Sequence, residues 1–158
     1  MNKYSLEQIK EAFIPDDRRD WVDPKLERLV WDELDVLAWK HPKGGNYFAC
    51  IEDNGQLYGM IFQMNAGAGR AGASCDLCYG TNDESGVKSA FIELVDNPRR
   101  KLGIHVCSDL ACSQRVRGEA PAVFMYETIS TGRRIERLQE KLGRFAQKVF
   151  QGKPSNHL

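Results

Sequence analysis

Cys75-Asp76-Leu77-Cys78 and Cys107-Ser108-Asp109-Leu110-Ala111-Cys112 decide how this chain is read. Four of its five cysteines stand in these two close pairs, with 28 residues between Cys78 and Cys107. Zinc favours a tetrahedral shell, and four cysteine sulfurs make a closed, structural one. The spacing predicts a four-thiolate Zn2+ site with Cys75, Cys78, Cys107 and Cys112 as ligands. The insert is longer than the gap of a simple zinc ribbon, so strands are expected inside it. Three other readings stand beside this one. A thioredoxin-like Cys-x-x-Cys needs a βαβ context, which the flanking pattern does not supply. Two disulfides need an oxidising compartment. The four cysteines could also be unrelated buried thiols. Within the metal reading, sulfur ligands suit iron as well as zinc. A closed shell leaves no position for water, so the metal is expected to be structural and not catalytic.

At 158 residues the chain is expected to form one domain with a short appendage. Its 42% hydrophobic content is ordinary for a water-soluble globule. No apolar run approaches the ~20 residues that span a bilayer. Met1 to Glu7 lacks the apolar core of a signal peptide. A cytoplasmic location is expected, where thiols stay reduced and can hold metal. The net charge is zero, but it is unevenly spread. Residues 1–96 hold 17 Asp/Glu against 10 Lys/Arg, and residues 97–158 hold 5 against 12. The basic half reads as a handle for an acidic partner. Overall neutrality argues against strong nonspecific nucleic-acid affinity.

Ser5-Leu6-Glu7-Gln8 has the capping-box pattern. Leu6, Ile9, Ala12 and Phe13 follow at helical spacing, and Pro15 ends that helix. Leu26, Leu29, Val30, Leu34 and Leu37 predict a second short helix or a wrapped segment, with Trp31 and Trp39 as core anchors. Tyr47 to Ile51 and Leu57 to Met64 read as an antiparallel pair joined at Asp53-Asn54-Gly55, where Asn-Gly supplies positive φ. Cys50 reads as a small buried hydrophobe. Asn65 to Gly72 is a flexible connection, because no Gly-Lys-Ser/Thr ending makes it a phosphate loop. Gly80 to Gly86 is a turn, and Val87 to Val95 a strand. Asp96 to Lys101 is a basic loop that leads through Leu102–Val106 into Cys107. A short helix is predicted from Asp109 to Val116, with Gly118 as its stop. Pro121 to Tyr126 is a loop. From Ile129 onward, Ile135, Leu138, Leu142, Phe145 and Val149 recur at helical spacing with a basic polar face.

A first cysteine pair in a hairpin and a second at a helix start is the treble-clef arrangement. With it the chain resembles the FBP-type treble-clef zinc-finger family, the C-terminal domain of FusB-type proteins that bind elongation factor G. The most specific match is Val106-Cys107-Ser108-Asp109-Leu110-Ala111-Cys112-Ser113, followed by Val116-Arg117-Gly118. Cys75 to Cys78, Leu34 to Trp39, His41-Pro42, Gly55 to Gly59 and the closing helix Arg134 to Val149 also fit. The resemblance implies an α+β fold: an antiparallel β-sheet with a treble-clef zinc finger and a C-terminal helix. It implies the four cysteines as ligands and a role at the translation machinery. FusB-type proteins carry an N-terminal helical bundle ahead of the zinc domain. Residues 1–42 are too few for one at ~10–14 residues per helix. Factor binding, rather than drug resistance, is therefore what the resemblance implies here.

The expected organisation is a leading segment of short helices and wrap (1–42), an FBP-like zinc domain with its closing helix (43–150) and a tail (151–158). The expected partner-binding residues are Arg99, Arg100, Lys101, Arg115, Arg117, Phe124 and Tyr126. Basic groups beside aromatics would suit RNA or an acidic protein face. The expected function is a non-enzymatic interaction module that docks on elongation factor G or the translation machinery. The alternative is a zinc protein that binds ribosomal or other RNA. No Gly-x-Ser-x-Gly elbow frames a nucleophile. A treble-clef nuclease needs a catalytic His and a second metal site, and only His105 lies near the knuckles.

Overall fold

The computed structural model describes residues 1–81, 86–124 and 128–150. Tyr126, most of the Gly80–Gly86 turn and the 151–158 tail lie outside the described residues. Helix α1 (Leu6–Glu11) begins as its capping box requires. The Ser5 hydroxyl accepts the Gln8 N–H at 3.2 Å, and the Gln8 amide oxygen accepts the Ser5 N–H at 2.9 Å.

Five strands follow in one antiparallel sheet whose order is the sequence order: β1 (Val36–Lys40), β2 (Asn46–Asp53), β3 (Gln56–Met64), β4 (Val87–Glu93) and β5 (Lys101–Cys107). Asn54 (φ 50°) and Gly55 (φ 78°) turn β2 into β3. Both centres are left-handed, as a two-residue hairpin with the native strand twist demands. Helix α2 (Cys112–Arg117) and the 20-residue α3 (Thr131–Phe150) follow.

The inner face of the sheet is covered by α3, and the outer face is covered over β1 to β3. On the inner face Ala49, Ile51, Met60, Phe62, Ala90, Ile92 and Val106 pack with Leu138, Leu142, Phe145, Ala146 and Val149 of α3. On the outer face Phe48 and Cys50 meet Ile9, Phe13 and Leu37, with Trp21 and Trp39 around them. This is why Phe48–Ile51 is buried at four consecutive positions: alternate side chains enter opposite cores. Burial pushes the Cys50 thiol up, and it acts as the small hydrophobe predicted. At Gly59 a Cβ would lie 2.4 Å from the Phe13 ring, and the Gly59 N–H donates to Ala12 O at 3.0 Å. Only glycine lets α1 seat there.

Two predicted elements differ. Val36–Lys40 is an edge strand, paired Val36↔Ile51 through Lys40↔Tyr47, not a helix or wrap. Leu34 and Leu37 imitate helical spacing, but Val36 and Ala38 face one core while Leu37 and Trp39 face the other. The second helix starts at Cys112 rather than Asp109, because Leu110 takes φ 59° and no helix passes through that conformation. Gly118 stops it in the left-handed region at φ 80°, as predicted.

Candidate metal centre

Each cysteine pair owes its position to a backbone turn. In the first, Tyr79 donates its N–H to Cys75 O at 2.9 Å, and Cys75 donates to Gly80 O at 3.1 Å. Tyr79 holds φ 61° to close the loop. In the second, Cys107 ends β5, Leu110 donates to Cys107 O at 3.0 Å, and Cys112 opens α2. The two turns are joined at the sheet edge. Asp76 donates its N–H to His105 O at 2.8 Å, and the Asp76 carboxylate accepts the His105 N–H at 2.6 Å. His105 lies beside this carboxylate, its Nδ1 3.4 Å away, and is not a member of the sulfur cluster.

The result is four sulfurs all within 4.8 Å of one another. Cys75 and Cys112 are 3.7 Å apart, as are Cys78 and Cys107. A tetrahedral zinc with Zn–S bonds of about 2.3 Å has sulfur–sulfur edges of about 3.8 Å, so the donor set fits the metal. All four residues are at most 2% exposed. The Cys75 thiol is held well below its ordinary range by hydrogen bonds from Cys107, then Cys112 and Cys78. The Cys112 thiol is pushed well up, first by its contact with Cys107. Thiols this close compete for one negative charge, and a divalent cation lets all four serve as thiolates. Four thiolates and Zn2+ still sum to −2. The Arg115 guanidinium, 2% exposed, lies close enough for the Cys107 and Cys112 charges to raise its pKa, after the larger effect of its bond to Asp109.

The predicted partner residues separate into three groups. Arg99 and Arg100 are exposed in the β4–β5 turn, and Lys101 opens β5 opposite Glu93, 3.4 Å away. Arg115 and Arg117, by contrast, are occupied inside the fold. Arg115 donates to both Asp109 oxygens at 2.7 Å and to Pro121 O at 3.1 Å. Arg117 donates to the fully buried Asp35 carboxylate and to Ser113 O at 2.9 Å. Spacing could not reveal this, because Asp35 is 82 residues away in sequence. Asp109, predicted as a helix-start residue, is instead the Arg115 anchor. Phe124 is half-buried under the Arg134 guanidinium, 4.3 Å from its ring. Tyr126 lies outside the described residues. Sequence pattern does not single out two further aromatics: Tyr79, which carries Arg137 at 4.3 Å and Lys141 at 5.0 Å, and Phe91, 42% exposed. Strand parity was the available signal for Phe91, which alternates with buried Ala90 and Ile92.

No helix among the described residues is long and apolar enough to cross a membrane. No curated protein matches the sequence. Among solved structures, the fusidic acid resistance protein FusC is similar in fold, with a TM-score of 0.51 at 17% identity. The likeness covers 72% of this chain and 53% of the FusC chain, so the present chain spans about half the length of that protein. The FBP C-terminal treble-clef zinc-finger profile matches residues 8–149, from α1 through the four-thiolate centre to the end of α3. The chain therefore binds zinc and belongs to the FBP C-terminal treble-clef zinc-finger family.

Proposed function

We propose that this protein is a non-enzymatic docking module for elongation factor G, folded by its zinc. The carrying observation is the family match over residues 8–149, together with the factor binding implied by the FusB-type resemblance. FusC, the similar fold, is a fusidic acid resistance protein. A binding role also suits the centre. All four ligands come from the chain and are buried, so the metal has no position to offer a substrate. The docking end is the loop around Val123 and Phe124. Val123 is 56% exposed, yet Thr81 donates its N–H to Val123 O at 2.9 Å and accepts the Val123 N–H at 3.1 Å. The turn that follows the first knuckle thus holds Val123, and zinc supports the docking end through it.

Calorimetric titration of zinc-loaded protein against purified elongation factor G tests this. Saturable binding is expected, lost on chelation and weakened by Val123→Asp. Absence of binding at gentle salt overturns the proposal.

A further inference from the structure

The outer face of the sheet is covered unevenly. The aromatic wrap lies over β1 to β3, while the outer side of β4 and β5 faces solvent. Ala90, Ile92, Leu102 and Ile104 point to the α3 side, so Phe91, Gly103 and their outward neighbours stand on the other. Phe91 is paired with Gln63 on β3 and Gly103 on β5. A Cβ built on Gly103 would lie 3.5 Å from the Phe91 ring. The ring thus leans over a position without a side chain and remains 42% exposed.

Beside it is a cavity of about 250 Å³ between the wrap and the β4–β5 turn. Its lining includes Phe91, Asn46 and Gln63, the carboxylates of Asp16, Asp17 and Glu93, and Pro98 and Lys101. Those last two bracket Arg99 and Arg100, both exposed. The Gln63 amide donates to Asn46 Oδ1 at 3.2 Å, which leaves the Gln63 carbonyl and the Asn46 amide N–H groups for another partner. An aromatic plate, paired amides and two exposed arginines in the adjoining turn are three parts of one recognition chemistry. A planar base stacks on the ring, its polar edge meets the amides, and its phosphates follow the arginines.

We propose that this cavity binds a nucleobase of single-stranded RNA, stacked on Phe91, with the flanking phosphates on Arg99 and Arg100. Charge places the strand: the carboxylates of Asp16, Asp17 and Glu93 keep phosphate out of the cavity itself, and Arg99 and Arg100 draw it to the β4–β5 turn. Duplex RNA cannot use the ring, because its bases are already stacked. This site does not rest on factor docking. The Phe124 contact with Arg134 and the β4–β5 turn near Val149 lie toward opposite ends of α3, roughly 22 Å apart at ~1.5 Å per residue.

The test is fluorescence anisotropy with a labelled single-stranded RNA dodecamer and the zinc-loaded full chain. Saturable binding is expected, with an RNA duplex of the same sequence a poor competitor. Phe91→Ala is expected to weaken binding about five- to hundred-fold. Replacing Arg99 and Arg100 with Ala should flatten the log–log salt slope by about 0.7 for each lost phosphate contact. Arg133→Ala, near the start of α3, should change nothing. Zinc content and melting temperature check that each variant folds. Absence of saturable binding, or binding unchanged in Phe91→Ala, overturns the proposal. So does loss of elongation factor G binding in these variants without RNA affinity, which would make this face a protein dock. Failure of RNA binding with factor binding intact leaves the docking proposal standing.

Discussion

The zinc lobe and the aromatic wrap solve the same problem with opposite physics. Each fastens chain segments that are distant in sequence onto one small sheet. The lobe does it with four directional bonds to a metal, in turns that have little apolar surface to bury. The wrap does it with area. Phe13, Trp21, Trp39 and Phe48 form a four-ring cluster whose centroids lie 5.2 to 6.0 Å apart, with Trp39 stacked on Phe48 at 10°. Its polar edges are satisfied locally: Trp39 Nε1 donates to Val22 O at 2.9 Å and Trp21 Nε1 to Asp23 at 2.6 Å. Coordination concentrates stability in a few atoms, whereas ring packing spreads it over many weak contacts. One lobe should therefore fail all at once on a single change and the other by degrees.

The sequence supplies a probe for that difference. All three tryptophans, Trp21, Trp31 and Trp39, belong to the outer-face cluster. Tryptophan emission thus follows the wrap and is blind to the lobe. The largest effect is expected from Cys107→Ser or a strong chelator. A structural zinc site supplies ~10–16 kcal/mol of apparent binding free energy, against ~5–15 kcal/mol for a whole domain. Metal analysis should show zinc lost and amide exchange should show α2 and both knuckles unprotected, while tryptophan emission changes far less. Equal loss of both signals would mean that the two regions are one cooperative unit.

Next comes Phe13→Ala, which empties the centre of the ring cluster at a cost of about 4 kcal/mol. Denaturant titration should register it in tryptophan emission, with zinc stoichiometry retained. Asp35→Ala probes the joint between the two regions. Asp35 holds Arg117 of α2 and accepts the Gln139 amide of α3 at 2.8 Å, and its own N–H donates to Ser113 Oγ at 3.0 Å. Removing one member of a buried pair costs about 3 kcal/mol. Here the loss should appear in both signals, and a change confined to one would show that the joint does not couple them. Ser5→Ala removes the α1 cap and should cost about 1 kcal/mol, visible only as a small shift of the tryptophan melting curve.

Legibility in the sequence followed the range of the interaction. The capping box, the Asn54-Gly55 hairpin, the Gly118 stop and the α3 stripe are local, and each was readable because its cause lies within a few residues. The cysteine pairs were readable for a related reason: ligand chemistry marks them, although 28 residues separate them. Val36–Lys40 reads as helix or wrap because Leu34 and Leu37 satisfy a helical period, while pairing with β2 decides otherwise. Arg115 and Arg117 looked like surface charge because basic residues usually are. Phe91 passed as one more strand residue, since parity separates the faces of a strand without saying which of them is covered.

By itself, then, the sequence picked out a four-thiolate metal site and its four cysteines, the hairpin strands and the closing helix. Those follow from side-chain chemistry and short-range backbone preference. Tertiary structure alone decided which charges face solvent and which are consumed inside. A guanidinium is a handle or a brace according to whether a carboxylate such as Asp35 folds against it. It also decided that the wrap stops short of β4 and β5, which leaves Phe91 open beside a cavity. How far a cover extends depends on where the wrap lies across the sheet, and no local pattern encodes that.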